Sequence, residues 1–241
     1  MKANVKIALV TGANKGLGFE ISRQLAQKGC TILLGTRNME RGAAAAEKLK
    51  DVGDVQPIEI DYERSDTIER AVETIKNKFG RLDILVNNAG IADSADGLPI
   101  KTDIAAVERI FATNFIGTLR VVQAMLPLVK QSASGRIVNI SSGLGSLTLN
   151  GDPTYKSVQY RMLGYGASKA ALNMLTVQLA SELQGTSIKV NSAAPGFTAT
   201  DATGNMGKPV EEGATEPVRL ALLEDDGPTG GFFEQEGKVP W

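Results

Sequence analysis

Residues 5–29 read "VKIALVTGANKGLGFEISRQLAQKG", and three patterns within this stretch decide the fold. A short apolar run passes through a glycine-rich segment, "TGANKGLG" at residues 11–18, into a run with helical periodicity. That succession predicts a first strand, a tight turn and a first helix. Lys15 is unexpected in the turn, because the start of a helix carries partial positive charge and disfavours a cation unless an anion joins it.

The same succession of apolar runs and longer amphipathic runs continues along the chain. Apolar runs typical of strands are "KIALVT", "TILLGT", "QPIEID", "LDILVNNAG", "GRIVNISS", "IKVNSAAPG" and "GGFFEQ". The segments between them predict helices near residues 16–28, 39–50, 66–79, 103–130, 165–184 and 209–224. The alternation indicates an α/β fold: a single doubly wound, Rossmann-type domain with a roughly seven-stranded parallel sheet and helices on both faces. No composition shift or repeat suggests a second domain within residues 1–241.

The overall composition is typical of a soluble enzyme. The 241 residues are 42% hydrophobic and 22% charged, with a formal net charge of −1. That charge provides no field to attract nucleic acid or an anionic membrane. No apolar run approaches the length of a membrane span, and the first one is too short for a signal peptide. We therefore expect a cytoplasmic protein with neither a nucleic-acid nor a membrane partner.

Two rare residue types narrow the chemistry. The sequence contains no histidine, which excludes a Ser-His-Asp triad, an imidazole general base and a zinc site with Cys and His ligands. Cys30 is the single cysteine, so no internal disulfide can form, and its apolar surroundings predict a small buried side chain. No metal site is predicted. Acid–base chemistry near neutral pH must use Tyr, Lys or a carboxylate with a shifted pKa.

The glycine-rich turn is a candidate phosphate site. Gly12, Gly16 and Gly18 form a GxxxGxG pattern, which differs from the usual GxGxxG dinucleotide fingerprint. Both patterns bind phosphate for the same physical reason, because glycine allows a tight turn and lets a phosphate approach backbone N–H groups at the helix start. The residues assigned to a dinucleotide here are Gly12, Asn14, Lys15, Gly16, Leu17 and Gly18.

The end of the second predicted strand suggests which anion Lys15 meets. An NAD site places an acid about 20 residues after the turn to bind the ribose 2′-hydroxyl, whereas an Arg suits a 2′-phosphate. This chain has Arg37 there, with no acid before Glu40. Lys15 and Arg37 would flank a dianionic phosphate, so the pair favours NADP(H). The alternative is two solvated surface cations, and for Lys15 alone it stays open.

Polar and small residues also end the next two strands. Asp61 ends the third predicted strand and could accept a hydrogen bond from an adenine amino group. Asn88, Ala89 and Gly90 end the fourth, where small residues allow a ribose to pass close to the backbone. Each could equally be an ordinary turn residue. Their shared location at the carboxyl edge of a parallel sheet, where ligands bind, favours the cofactor role.

The candidate reacting groups lie in the second half of the chain. Tyr165 and Lys169 in "YGASK" share one helix face, where an ammonium favours the ionised form of a phenol. Ser141 and Ser142 end the strand "GRIVNISS", where a hydroxyl could bind a substrate oxygen or merely cap a turn. Asn114 lies in an apolar helical run, which favours a buried polar role over exposure.

These motifs, taken together, resemble those of the short-chain dehydrogenase/reductase family. "TGANKGLG", "NNAG", Asn114, "NISS", "YGASK" and "PGFTAT" occur in the family's order and cover nearly the whole chain. The resemblance implies that Tyr165 is the general acid, that Lys169 lowers its pKa and holds the ribose, and that Ser142 orients the carbonyl. It also implies that Asn114 holds a water in a proton relay to Lys169, and that Pro195, Gly196 and Thr198 contact the nicotinamide end. The cofactor half would span about residues 1–100 and the catalytic and substrate part about residues 101–241, with a polar loop, "TDATGNMGK", covering the cofactor.

Within the family, the segments "TGANKGLG", "TRNMERG" and "PVEEGATEPVRLALL" and the terminal Trp241 resemble those of NADPH-dependent carbonyl reductases. The resemblance implies reduction of a ketone or aldehyde with NADPH. The alternatives are a 3-oxoacyl-thioester or quinone reductase and, from another class, a non-catalytic NADP(H) sensor. The segment between Ser142 and Tyr165 is longer than in many tetrameric members and shorter than the insertion of monomeric ones. Two heavily apolar helices nevertheless predict a homo-oligomer, a dimer or a tetramer. The residues expected to form an apolar pocket are Leu144, Leu147, Leu149, Met162, Phe197 and Met206.

Overall fold

The computed structural model describes residues 5–241, and one sheet runs through them. Its strands are β1 (Ile7–Val10), β2 (Thr31–Thr36), β3 (Val55–Glu59), β4 (Ile84–Asn87), β5 (Arg136–Ile140), β6 (Lys189–Ala193), β7 (Phe232–Glu234) and β8 (Gly237–Lys238). The spatial order is β3-β2-β1-β4-β5-β6-β7-β8. Strands β1 to β7 pair in parallel, which confirms the predicted doubly wound α/β fold. The short β8 pairs antiparallel with β7 and is one strand more than the sequence indicates.

The sheet is buried on both faces, which explains the continuous apolar runs. In β1, Ile7 and Leu9 pack into one core cluster, whereas Ala8 and Val10 pack into the cluster on the opposite face. This is the alternation that the pleat imposes on successive side chains. Cys30 is buried in the second cluster, as its apolar surroundings predict.

Helices connect the strands on both faces. They are α1 (Gly16–Gln27), α2 (Met39–Glu47), α3 (Ser65–Phe79), α4 (Ile104–Phe111), α5 (Thr118–Val129), α6 (Leu147–Gly151), α7 (Leu163–Glu182), α8 (Val210–Gly213) and α9 (Thr215–Ala221). The helix predicted near residues 209–224 is two helices in the structure. Pro217 contributes to the break, because it has no N–H to continue the hydrogen-bond ladder back to Gly213, and it lies in the first turn of α9, where that N–H is not needed.

The helix predicted near residues 103–130 is continuous over Ile104–Val129, but its middle is a π-helical segment, Ala112–Gly117. The prediction that no apolar run approaches a membrane span is wrong in one respect, because this helix is long enough and apolar enough to cross a membrane. These 26 residues have a mean hydropathy of 1.2 in their most apolar window, 44% of which is buried inside the protein. Val121, Val122 and Met125 pack into the first core cluster. The core helix of a soluble protein passes the same test, so the feature is weak evidence for a membrane span.

Candidate active site

The glycine-rich turn between β1 and α1 requires glycine at two of its positions. Gly12 and Gly16 have φ of +63° and +55°, which L side chains rarely adopt. A Cβ on Gly12 would lie 2.9 Å from Ala89 Cα, and one on Gly18 would lie 2.4 Å from Asn88 Nδ2. The turn therefore packs against the residues that follow β4, so the predicted cofactor residues of the two strand ends lie together.

The N-terminus of α1 has no side-chain cap. Lys15 occupies the N-cap position and makes no capping hydrogen bond. The first N–H groups of a helix have no partner within it, so those of Gly16, Leu17 and Gly18 are available for an anion. A 12-residue helix opening on the carboxyl edge of the sheet can hold a phosphate there.

Thr11 holds the turn to the end of β4, a role that sequence analysis missed. Its hydroxyl oxygen accepts hydrogen bonds from the backbone N–H groups of Asn88 (3.0 Å) and Ala89 (3.1 Å) and from the Tyr62 hydroxyl (2.9 Å). The Asn88 side-chain amide donates to the carbonyl oxygens of Thr11 (2.9 Å) and Gly12 (3.2 Å). The amide of Asn88 thus shapes the turn, while the exposed Gly90 leaves the backbone open beside it.

Lys15 has an anionic partner within the protein. Its ammonium forms an ion pair with Asp201, in the loop of residues 200–208 that was expected to cover the cofactor. Both side chains are largely exposed, at 66% for Lys15 and 69% for Asp201. Arg37 is also exposed, directly after β2. The loop therefore contacts the glycine-rich turn through a side chain predicted to bind phosphate.

Asp61 is half-buried just beyond β3, and one of its carboxylate oxygens already has a partner. Oδ1 accepts a hydrogen bond from the backbone N–H of Glu63 at 3.0 Å. The backbone N–H of Asp61 donates to the Thr67 hydroxyl at 2.9 Å. The structure thus contains the turn role that was weighed for Asp61, and Oδ2 is the oxygen left for an adenine amino group.

Tyr165 and Lys169 lie on one face of α7, as predicted. The Lys169 Nζ lies 5.6 Å from the centroid of the Tyr165 ring and donates a 2.8 Å hydrogen bond to the Ile140 carbonyl oxygen. Lys169 is 4% exposed, and burial lowers the pKa of its ammonium from 10.5 to about 8. Burial raises the pKa of the Tyr165 phenol, and a hydrogen bond with Ser142 acts in the opposite direction without cancelling it. The expected lowering of the Tyr165 pKa by Lys169 is therefore not found in this structure.

The two serines after β5 have different environments. Ser142 is half-buried, lines the same cavity as Tyr165, and accepts a 3.2 Å hydrogen bond from the backbone N–H of Leu144. Ser141 is only 2% exposed, and its hydroxyl contacts the Lys169 carbonyl oxygen at 3.5 Å. Both serines line the cavity, but Ser142 is the more exposed of the two and the one whose hydroxyl acts to lower the pKa of the Tyr165 phenol.

Asn114 lies in the π-helical segment and is 1% exposed. Its side chain accepts a hydrogen bond from the Ile91 N–H (2.8 Å) and donates to the Ile91 carbonyl (3.0 Å) and the Ser168 hydroxyl (3.0 Å). A Cβ on Gly90 would lie 3.2 Å from Asn114 Oδ1 and 3.5 Å from Lys169 Nζ. Asn114 therefore ties the segment after β4 to α7 beside the Lys169 ammonium. π-helical segments frequently occur at functional sites.

The segment after β6 contains the three residues predicted to contact the nicotinamide end of the cofactor, Pro195, Gly196 and Thr198. Pro195 and Gly196 line the cavity, and Gly196 has a φ of +72°. Thr198 is buried, and its hydroxyl donates to the Pro195 carbonyl oxygen at 2.9 Å. Its hydroxyl thus fixes this turn from inside and has a backbone partner already.

The cavity has a volume of about 920 Å³. Of the residues expected to form an apolar pocket, Leu144, Met162, Phe197 and Met206 line it. Leu147 lines a neighbouring groove, and Leu149 packs with the cluster of Phe232 and Val239, so these two were misassigned. Sequence analysis missed Tyr155 and Tyr160, which also line the cavity, and the Tyr160 ring stacks on Phe197 at 5.2 Å. Both tyrosines lie in a segment without strong periodicity, so no sequence signal identifies them.

Within residues 5–241, no group of three or more Cys, Asp or Glu side chains is arranged to hold a metal ion. The titratable groups that line the cavity include the Tyr165 phenol, and the Lys169 ammonium lies 5.6 Å from the centroid of its ring. Such a set can move a proton and stabilise charge, and it needs a bound group to supply or accept a hydride.

Comparisons with known proteins agree with this geometry. The family model for short chain dehydrogenases matches residues 6–211. The chain is 35% identical to short-chain dehydrogenase/reductase 1 of Saponaria officinalis over an alignment 303 positions long, gaps included, with 99% of this chain and 97% of that protein covered. It is 34% identical to NADPH carbonyl reductase 1 of Mus musculus over an alignment 283 positions long, gaps included, with 100% of both chains covered. The NADPH-bound carbonyl reductase from chicken fatty liver has a TM-score of 0.86 at 27% identity, covering 100% of this chain and 96% of that one.

Proposed function

The chain belongs to the short chain dehydrogenase family, and on that premise we propose that it reduces a ketone or aldehyde to an alcohol by hydride transfer from NADPH. One observation carries the proposal. Tyr165 and Ser142 line one cavity of about 920 Å³, with the Lys169 ammonium next to the Tyr165 ring.

The residues present fit a nicotinamide dinucleotide. The N-terminus of α1 has no side-chain cap, and a Cβ on Gly16 would meet nothing closer than Thr200 at 3.8 Å, so the first N–H groups of the helix are open to a phosphate. Arg37 and Lys15, at the ends of adjacent parallel strands, are the cations that would hold a 2′-phosphate. Gly90 lies next to Lys169, where a ribose can approach both the backbone and the ammonium. When bound, NADPH supplies the hydride.

The protein's own residues supply the proton and the orientation. The raised pKa of Tyr165 keeps the phenol protonated at neutral pH, as a proton donor to a developing alkoxide must be. Ser142 would hold the carbonyl oxygen against Tyr165 and stabilise the charge that develops on it. Lys169 would bind the ribose and place positive charge next to the phenol. Asn114 fixes the segment around Lys169, and its side-chain hydrogen bonds to Ile91 and Ser168 suit a positioning role.

Two other functions can be distinguished from this one by experiment. A 3-oxoacyl-thioester or quinone reductase would use the same groups, and the difference lies in the substrate. The cavity lining contains both cations, such as Lys156 and Arg161, and anions, such as Glu234 and Glu236, which does not favour an acidic carrier protein. A non-catalytic NADP(H) sensor would not need the phenol, the ammonium and the serine hydroxyl at one cavity.

The first experiment measures initial rates with NADPH and NADH against aryl ketones, aldehydes, quinones and ketoesters. Turnover with NADPH preferred supports the reductase and the phosphate site, and the best substrate defines the pocket. Preference for NADH would contradict the Lys15–Arg37 assignment alone. Tight NADPH binding without turnover on any substrate would favour the sensor.

Tyr165→Phe tests the assignment of the proton donor. The variant should bind NADPH with an unchanged dissociation constant and lose nearly all turnover, because only the hydroxyl is removed. Tyr160→Phe, which alters another phenol of the cavity wall, is the matched control. Retained turnover in Tyr165→Phe would refute the assignment.

A further inference from the structure

The helix that bears the candidate proton donor begins without a cap of its own. The N-cap residue of α7 is Met162, whose side chain makes no capping hydrogen bond. The first N–H groups of a helix need acceptors from outside it, and a buried helix end without them is destabilised. For α7 the acceptors come from a distant segment of the chain, the connection between β4 and α4.

Asp96, in that connection, supplies two of these acceptors. Its Oδ1 accepts a hydrogen bond from the Gly164 N–H at 2.9 Å, and its Oδ2 accepts one from the Tyr165 N–H at 2.8 Å. The adjacent Gly97 carbonyl oxygen accepts from the Leu163 N–H at 2.8 Å. The first three N–H groups of α7 are therefore bound by two consecutive residues, and the carboxylate is bonded to the backbone of Tyr165 itself.

The carboxylate is itself held in place. The Thr102 hydroxyl donates a 2.8 Å hydrogen bond to Asp96 Oδ1 and accepts a 3.2 Å hydrogen bond from the Gly97 N–H. Gly164 leaves room for it, because a Cβ there would lie 3.2 Å from Asp96 Oδ2. A half-buried carboxylate with partners on both oxygens has little rotational freedom.

The same connection also binds the other candidate site residues. It begins with Gly90, beside Lys169 and Asn114, and continues with Ile91, whose backbone is hydrogen-bonded on both sides to Asn114. It then reaches Asp96 and the backbone of Tyr165. One stretch of chain thus sets the position of α7 relative to the π-helical segment and the end of β4.

We propose that Asp96 is a positioning residue for the reaction, which fixes the backbone of Tyr165 and so directs its phenol at the substrate carbonyl. This inference rests on the proposed function, because it concerns the alignment of the same proton donor. It predicts that loss of the Asp96 carboxylate impairs the chemical step and not cofactor binding. Misplacement of a reacting group by about 1 Å costs about 100-fold in rate.

Asp96→Ala and Asp103→Ala form a matched pair for the test. Asp103, seven residues further along the same connection, caps α4 and not α7, through a 2.8 Å hydrogen bond from the Ala105 N–H. Both variants lose an aspartate that caps a helix. Asp96→Ala should lower kcat by about 10- to 100-fold with the NADPH dissociation constant within about twofold of the parent, whereas Asp103→Ala should keep kcat within about twofold.

Hydrogen exchange supplies a readout that does not require turnover. The amides of residues 163–166 should exchange faster in Asp96→Ala than in the parent and be unchanged in Asp103→Ala. If Asp96→Ala does not fold, Thr102→Val replaces it, since it keeps the carboxylate but removes the hydroxyl that holds it. That variant should lower kcat by about three- to tenfold, again at constant NADPH affinity.

The outcomes separate this inference from the proposed function. An active parent with kcat unchanged in both Asp96→Ala and Thr102→Val overturns the positioning role and leaves the reductase standing. An equal loss of kcat in Asp103→Ala also overturns it, because the loss would then follow helix stability. A parent inactive on every carbonyl tested overturns the proposed function and this inference with it.

Discussion

At the scale of single residues, the charge of Lys169 makes the proposed activity depend on pH. Burial lowers the pKa of its ammonium to about 8, and burial raises the pKa of Tyr165. Below about pH 7 both groups are protonated, which suits a proton donor next to a positive charge. As the pH rises through about 8, Lys169 loses its charge while the phenol is still protonated. The activity for reduction should therefore fall on the alkaline side.

We predict that kcat/KM with NADPH as the varied substrate is flat from about pH 6 to 7 and falls tenfold per pH unit above about 8. This parameter reports the free enzyme, to which the pKa of Lys169 refers. Lys169→Arg should move the fall to higher pH, because a guanidinium stays protonated. An alkaline limb at the same pH in Lys169→Arg would show that another group is responsible.

The same burial predicts how stability depends on pH. Between the lowered pKa of about 8 in the folded state and 10.5 in the unfolded state, the unfolded chain binds more protons at Lys169. The free energy of unfolding therefore increases with pH through this window, by up to about 3 kcal/mol at about 1.4 kcal/mol per pKa unit.

Urea unfolding of the parent and of Lys169→Met at pH 7.5 and 10 measures this contribution. The variant has no titratable group at this position, so its free energy of unfolding should exceed that of the parent at pH 7.5 and lose that advantage by pH 10. The difference between the two proteins removes contributions from groups such as Cys30, whose pKa burial raises. A difference that does not change with pH would contradict the effect.

Single residues also show what sequence can and cannot identify. The shared location of Tyr165, Lys169 and Ser142 was predictable because the helix period and the strand ends place them at one edge of the sheet, whereas the choice of Ser142 over Ser141 came from the family resemblance. Asp96 was not predictable, since it caps a helix from which it is separated by 68 residues in the chain. The direction of the Tyr165 pKa was also missed, because it depends on burial and not on the spacing to Lys169.

At the scale of elements, the loop of residues 200–208 and the glycine-rich turn share one lysine. Asp201 pairs with Lys15, the cation that we assign to a 2′-phosphate. Under that assignment, NADPH would compete with Asp201 for the ammonium. NADH has no 2′-phosphate and meets no such competition.

Asp201→Asn should therefore lower the NADPH dissociation constant by about two- to fivefold, the range expected when an exposed ion pair is removed. The NADH dissociation constant should not change, and the gain should shrink at high salt. Glu47→Gln, which removes the exposed Glu47–Lys50 pair elsewhere, is the control. Fluorescence titration measures all of these constants. Equal tightening of NADPH and NADH would show that loop mobility, and not competition for Lys15, is the cause.

The glycine-rich turn allows a second test at this scale. Gly18→Ala places a Cβ 2.4 Å from Asn88 Nδ2 and 2.7 Å from the Gly12 carbonyl oxygen. The turn must shift to accommodate it, which should destabilise the protein by about 1–3 kcal/mol and weaken NADPH binding. Gly151→Ala, with nothing within 4 Å of the added Cβ, should change neither. Thermal unfolding and NADPH titration measure the two effects, and unchanged stability in Gly18→Ala would contradict this packing.

The elements themselves were largely predictable, with informative exceptions. Hydrophobic periodicity identified the longer helices, which bury apolar side chains, but not the five-residue α6, which has no buried residue. It also did not identify the π-helical segment at Ala112–Gly117, in which Asn114 bonds to Ile91. The hairpin of β7 and β8 was missed because Gly237–Lys238 is too short to show an alternating pattern.

At the scale of the whole molecule, the two most apolar helices leave part of their surface exposed. In α7, Leu172 and Leu179 are buried, whereas Met174 is 57% exposed and Val177 lies beside it on the outside. Ile116 is exposed in the π-helical segment, which packs against α7. Exposed apolar side chains on neighbouring helices favour burial against another subunit.

We predict that light scattering at micromolar concentration gives a multiple of the 25.5 kDa chain mass. Met174→Lys should shift the mass towards the monomer, because it would bury a charge in such an interface. Ile100→Lys is the control, since Ile100 is 91% exposed on the connection before α4 and lies outside both helices. A monomeric parent would overturn the prediction. If Met174→Lys does not change the mass of the oligomer, the interface lies elsewhere. Contact with another subunit would then not explain the exposed apolar side chains of α7.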